Sequence, residues 1–417
     1  MRIVLLLLLL AAQAAVLFYT KPAPPPPPPV AKTYLPLFGL DRKKEQSGDW
    51  EARRMRRLEK ELEGLRALRF KRPVPAATQS VQQLTEFINK ALDREIYLGE
   101  TEIAYKALGF IPETADLRAL YMAFYASQIA GYYDPETGHF YTIKRSGLSS
   151  LLSSDEELEL IMIHELDHAL TDQHFSLKKL EKRILNSRND DAALAIQSVI
   201  EGDAMAVMLH AMNVRQFGMS AMDDAFPASA FEMYAGLMEW LNFDPAWRSA
   251  PRLFRKLALF PYLTGGAFID QVRIERAGWD SINTMYRRPP LSSEQILHPE
   301  KYPEEIPLKV TAPGLPSRFR KATENTAGEA LIRLWLEEHG VLSSQAMRAA
   351  AGWGGDRYAV GFGAGGARML AWRSVWDTPA DAAQFHDAAR AALKHAARKF
   401  RLARQGREVR LEQWGKP

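Results

Sequence analysis

The pentapeptide His164-Glu165-Leu166-Asp167-His168 constrains this chain more than any other stretch, because it falls inside a segment built to be a helix. Ser153-Ser154-Asp155-Glu156-Glu157 supplies an N-cap and a capping box, Ser154 with Glu157, which predicts a helix from Asp155 to about Asp172. Residues four apart on a helix differ by about 40° in rotation and about 6 Å in rise, so both imidazoles can reach one ion. Zinc favours such nitrogen ligands and in reactive sites keeps a fourth position for water. Glu165, beside the first histidine, is placed to take a proton from that water and pass it on. The fold must therefore bring a third ligand to this helix.

Two residues compete for that place. His174 stands ten residues after His164, the offset of the third histidine in HExxHxxGxxH sites. Thr171 replaces the glycine that would turn the chain there, so a helix running straight on carries His174 away. Glu201 lies in Val199-Ile200-Glu201-Gly202-Asp203-Ala204, within a helix expected from roughly Asp190 to Phe217. Its neighbours Ile200, Ala204, Met205 and Val207 predict burial, where an unpaired carboxylate is costly. The residues favour Glu201 with His164 and His168 as ligands of Zn2+, and keep His174 as the alternative. Asp172 or Asp203 is expected to accept the second ring N–H of a ligand histidine.

The rest of the chain sets the compartment and excludes other chemistries. There are no cysteines, so disulfides, thiolate metal sites and a cysteine nucleophile are absent. Basic and acidic residues number 54 and 50, too balanced for nucleic acid as the main partner. Arg2 precedes an apolar run from Ile3 to Tyr19 containing six consecutive leucines, and Pro24 to Pro29 form a stiff spacer. Residues 1–20 are expected to be a signal peptide or N-terminal membrane anchor, and 21–48 a proline-rich linker. The protein is then extracytoplasmic, either secreted or periplasmic, or tethered to the membrane through residues 3–19.

Beyond the linker the pattern predicts a charged helix at 49–72, with Met55, Leu58, Leu62 and Leu65 as its apolar stripe. It reads either as an inhibitory pro-segment or as a stalk. Helices follow at Ser80–Ile96 and Ala115–Ile129, and a β-hairpin around Asp134-Pro-Glu-Thr-Gly138. Helices continue to about Tyr286, with Pro261 and Gly265-Gly266 as punctuation, and 287–320 is proline-rich loop with one short strand. The last hundred residues are expected to hold helices at Thr326–His339 and after Pro379, with two strands around Tyr358 and Met369. Gly361-Phe-Gly363-Ala-Gly-Gly366 matches a dinucleotide-binding string, but a strand follows it, so it reads as a hairpin loop. The basic stretch from Arg390 to Arg410 reads as a solvated helix, with an anionic membrane surface as its alternative contact. The fold class is α+β and mostly helical, with a domain at 73–305 and a small α/β module at 306–417.

Four pieces in order carry a resemblance. They are Ala130-Gly-Tyr-Tyr-Asp-Pro-Glu-Thr-Gly138, His164-Glu-Leu-Asp-His-Ala-Leu-Thr-Asp-Gln-His-Phe175, Glu201-Gly-Asp-Ala204, and Pro289-Pro-Leu-Ser-Ser-Glu-Gln-Ile-Leu-His-Pro-Glu-Lys-Tyr302. Together they resemble gluzincins, zinc peptidases with HExxH on one helix and a glutamate ligand on the next. More closely, they resemble a little-described set of bacterial secreted or membrane-anchored HExxH proteins. The resemblance implies a zincin catalytic domain, with His164, His168 and Glu201 as zinc ligands and Glu165 as general base and acid. It also implies that His298, or Tyr302, steadies the oxyanion, and that the hairpin strand Phe140–Ile143 receives an extended peptide or protein substrate as an added strand. The expected activity is zinc-dependent hydrolysis of peptide bonds. The rival readings are a binding or scaffold protein on the same fold, and a zinc hydrolase of a non-peptide amide.

Overall fold

The computed structural model describes residues 47–144, 155–218, 244–394 and 398–416. The apolar run at 3–19, the prolines at 24–29 and Ser154 of the expected capping box lie outside them.

Helix α1 (Ser47–Arg66) lays its apolar stripe on the body of the protein. Met55, Leu58, Leu62 and Leu65 are 5%, 0%, 0% and 2% exposed. The chain then turns at Ala67, whose φ of 54° is left-handed, a place where helices usually carry glycine. The return segment is pinned to α1, for Glu63 accepts the Phe70 N–H at 2.9 Å and Glu59 the Val74 N–H at 2.8 Å. Ala67→Gly is therefore expected to stabilise the protein by roughly 0.5–1 kcal/mol, the relief of left-handed strain less the added freedom of the unfolded chain. Thermal unfolding checks this, and an unchanged or lower midpoint counts against it.

Strands β1 (Ala76–Ser80), β2 (Gly131–Asp134) and β3 (His139–Lys144) form a sheet of order β1-β3-β2. Strand β1 runs parallel to β3, with Ala76 opposite Phe140, and β2 antiparallel to it, with Tyr133 also opposite Phe140. This corrects the expectation for Phe140–Ile143. That strand is central and paired on both sides, and the outer strands of the sheet are β1, largely exposed, and β2, wholly buried. The short Ala-Ala-Thr-Gln-Ser sequence of β1, largely exposed, carries no alternation that would have announced a strand.

Helix α2 (Val81–Arg94) opens on a capping box between Ser80 and Gln83, and α4 (Leu117–Gln128) on Asp116, whose carboxylate accepts the Ala119 N–H. Between them lies α3 (Leu98–Leu108), which the sequence pattern did not announce, nor did it announce α6 (Leu177–Asn186). Helices α5 (Asp155–Phe175) and α7 (Asp190–Phe217) run through the core. By length and composition Asp190–Gln216 passes for a membrane span, yet 94% of its most apolar window is buried inside the protein. Next come α8 (Pro245–Ser249), α9 (Arg252–Glu275), α10 (Trp279–Arg287) and α11 (Ser293–Leu297). Pro261, Gly265 and Gly266 sit inside α9 rather than interrupting it, a second correction.

The C-terminal part is an antiparallel sheet of β4 (Arg320–Asn325), β5 (Trp353–Phe362), β6 (Arg368–Trp376), β7 (Lys399–Gln405) and β8 (Glu408–Gly415), ordered β4-β5-β6-β8-β7. Helices α12 (Gly328–Glu338), α13 (Ser343–Ala350) and α14 (Pro379–Ala392) accompany it. The glycine string does lie at the β5–β6 turn. The helix expected across 390–410 stops at Ala392, and the β7–β8 hairpin takes up most of the remaining chain. Strand β7 is an edge exposed along nearly its whole length, so it lacks the buried face that reveals strands in sequence. Its Lys and Arg residues suit an edge, where charge discourages further strand pairing. Bonds from Arg368 to Glu113, from Arg357 to the Arg188 carbonyl and from Lys301 to Asp377 fix this part to the helical body. The whole is α+β and mostly helical.

Candidate metal centre

Helices α5 and α7 bring three donors together. Nε2 of His164 and Nε2 of His168 each lie 3.4 Å from Oε2 of Glu201, and all three residues are 0% exposed. The two imidazoles meet edge to face, 4.8 Å between ring centroids. None of these contacts has hydrogen-bond geometry, so both nitrogens of each histidine and both oxygens of Glu201 are buried without a hydrogen-bond partner among the described residues. Buried polar groups are otherwise almost always satisfied, and here one ligand atom from each of the three residues lies within 4.8 Å of the others. Two imidazoles and one carboxylate are a donor set suited to zinc.

Burial and facing charges shift two of the three residues. Burial, partly opposed by the Glu201 carboxylate, pushes His164 down to about 4, so its ring is neutral at pH 7. Burial alone would raise Glu201, but the facing imidazoles hold it below the ordinary glutamate value.

Glycines set how closely the helix around Glu201 is held. A Cβ on Gly202, next to Glu201, would stand 2.4 Å from the carbonyl carbon of Gly265 on α9, and one on Gly265 would stand 2.4 Å from the Ser198 carbonyl oxygen. Helices α7 and α9 thus touch backbone to backbone at the residue beside Glu201. From the same stretch of α9, the Tyr262 ring stacks on His164 at 5.7 Å and 16° and limits how far that imidazole can turn.

Glu165 is fixed by a backbone group. Its Oε2 accepts the Tyr133 N–H of β2 at 2.7 Å, while Oε1 has no hydrogen-bond partner among the described residues. Burial, and then the negative charge of Glu201, raise its carboxyl well above the usual glutamate range. One oxygen is anchored and the other is unbonded among the described residues.

The remaining expected residues are placed elsewhere. His174 faces the Arg69 carbonyl, Nε2 to O 2.8 Å, on the return segment after α1, and is not part of the donor cluster. Asp172 accepts the Tyr133 hydroxyl and the Leu177 N–H, both at 2.8 Å, and serves neither histidine. Asp203 accepts from Arg66 and from the Tyr286 hydroxyl, so it too serves neither. His298 places Nε2 3.0 Å from Glu329 on α12, and Tyr302 donates its hydroxyl to the Arg288 carbonyl. Neither side chain is a member of the donor cluster. A second acidic group, Glu294, Glu305 and Asp377, is already filled by the Lys301 ammonium at 2.7, 2.9 and 2.8 Å.

Three contributors were not legible in advance. The Tyr133 N–H is a backbone group, so only the strand position of Gly131-Tyr-Tyr-Asp134 hints at it. Tyr262 and Arg66 come from distant helices, and no local pattern ties either to HExxH.

Residues 317–416 match a family described as a domain of unknown function (DUF8575). No curated protein and no solved structure matches the chain.

Proposed function

We propose that this chain is a zinc-dependent metallopeptidase of the gluzincin type, hydrolysing peptide bonds outside the cytoplasm. The observation that carries the reading is the buried convergence of His164, His168 and Glu201 with no internal partners, beside a carboxyl group held by one oxygen only. Bound there, Zn2+ would supply Lewis acidity toward a carbonyl and acidify water.

The chain's own residues do the rest. The Tyr133 N–H keeps Oε2 of Glu165 in place, so Oε1 is the atom that receives a proton from the attacking water and later gives it to the leaving amine.

Metal content of the folded protein tests the reading. Wild type is expected to carry one zinc ion per chain, Glu201→Ala and His168→Ala almost none, and His174→Ala the full amount. Wild type without metal sinks the reading, and loss in His174→Ala but not Glu201→Ala replaces the third ligand.

A further inference from the structure

Behind the donor cluster lies a second buried group that the reaction does not use. Asp167, between the two histidines on α5, and Asp203, two residues beyond Glu201 on α7, are both 0% exposed. Between them stands Arg66, the last residue of α1, also 0% exposed. Its Nε lies 3.0 Å from Oδ1 of Asp203 and 3.9 Å from Oδ1 of Asp167, and its Nη2 lies 2.9 Å from Oδ2 of Asp203. The guanidinium rests on the Trp279 ring of α10 at 4.4 Å, and the Tyr286 hydroxyl donates to Asp203 at 2.8 Å. Asp167 has no hydrogen-bond partner among the described residues, so Arg66 is its counter-charge.

We infer that Arg66 is a positioning residue for the metal centre, clamping the two ligand-bearing helices together, and that α1 is a permanent part of the reactive unit rather than a removable inhibitory segment. Each carboxylate it holds sits one or two residues from a donor, on the same rigid helix. Two buried carboxylates facing each other repel strongly unless a cation lies between them. Without Arg66 the pair loses the cation that bridges α5 and α7, and a shift of either helix moves His164 and His168 relative to Glu201. The planar fork grips both oxygens of Asp203 while its charge reaches Asp167, which a lysine ammonium cannot reproduce. The segment after α1 is tied down as well, since Gln173 at the end of α5 accepts the Lys71 N–H at 2.7 Å and the Arg72 N–H at 3.1 Å.

The inference rests on the metal-binding reading of His164, His168 and Glu201. Its test is zinc affinity, by competition with a chelator, of the full chain carrying Arg66→Met, Arg66→Lys or Leu58→Ala, at a temperature where circular dichroism shows each to be folded. Leu58 is an uncharged, buried residue of α1 about two turns before Arg66, so Leu58→Ala loosens the helix and removes no charge from the clamp. Arg66→Met is expected to weaken zinc binding about 10–100-fold, the range for residues that orient metal ligands. Arg66→Lys should fall between it and wild type, and Leu58→Ala should bind as wild type does. Wild-type affinity in Arg66→Met, or an equal loss in Leu58→Ala, overturns the inference and leaves the metal site standing. If Arg66→Met does not fold, Arg66→Lys decides, and wild-type affinity there overturns it. No zinc in the wild type removes the metal reading and this inference together.

Discussion

Glu165→Gln is expected to abolish hydrolysis of a quenched-fluorescent peptide library while leaving zinc content and the unfolding midpoint at their wild-type values. The amide oxygen of glutamine can still accept the Tyr133 N–H, so the anchor that Oε2 makes at 2.7 Å survives. The amide nitrogen at the other position cannot take up a proton. General acid–base catalysis is worth about 10²–10⁴-fold, and a loss of that size is the expected result. Activity within a few-fold of wild type would remove Glu165 from the mechanism. Zinc bound in both proteins with no hydrolysis in either would favour the scaffold reading. Cleavage confined to non-peptide amides would shift the substrate class and leave the site intact.

The second large effect should come from a residue with no chemistry. Gly202→Ala places a methyl group 2.4 Å from one backbone atom of Gly265 and 2.5 Å from another. Neither is the end of a flexible side chain that can swing away, so α7 and α9 must separate. Overpacking of a core typically costs about 1–3 kcal/mol and occasionally more, and a clash between two backbones belongs at the upper end. Because Glu201 is the adjacent residue, the displacement should also weaken zinc binding. Thermal unfolding and chelator competition, measured on the same preparation, check both effects. A midpoint equal to that of wild type would mean that the helices are not in contact there.

This contact also shows where local reading of the sequence stops. Pro261 and Gly265-Gly266 read as breaks, because proline and glycine weaken isolated helices. In the folded chain they lie within α9, and Gly265 is there because the backbone of α7 leaves no room for a side chain. The basic stretch at 390–410 misled for a related reason. An edge strand exposed on both faces has no buried alternation, so its charge pattern looks like that of a solvated helix.

By itself, the sequence determined what depends on short-range geometry. Four-residue spacing on a helix brings His164 and His168 to one face, and Glu165 follows from adjacency to them. The apolar setting of Glu201 announced its burial, and the stripe on α1 announced that this helix packs. Only the tertiary structure decided which oxygen of Glu165 is held, that the Phe140–Ile143 strand is central rather than an edge, and that His174, Asp172, Asp203, His298 and Tyr302 have other partners. It also brought Arg66 and Tyr262 to the ligand helices from distant parts of the chain. The physical reason is the range of the forces concerned. Helix periodicity and capping act over a few residues and leave a pattern in the sequence, whereas the partner of a buried charge is whichever residue packing carries to it.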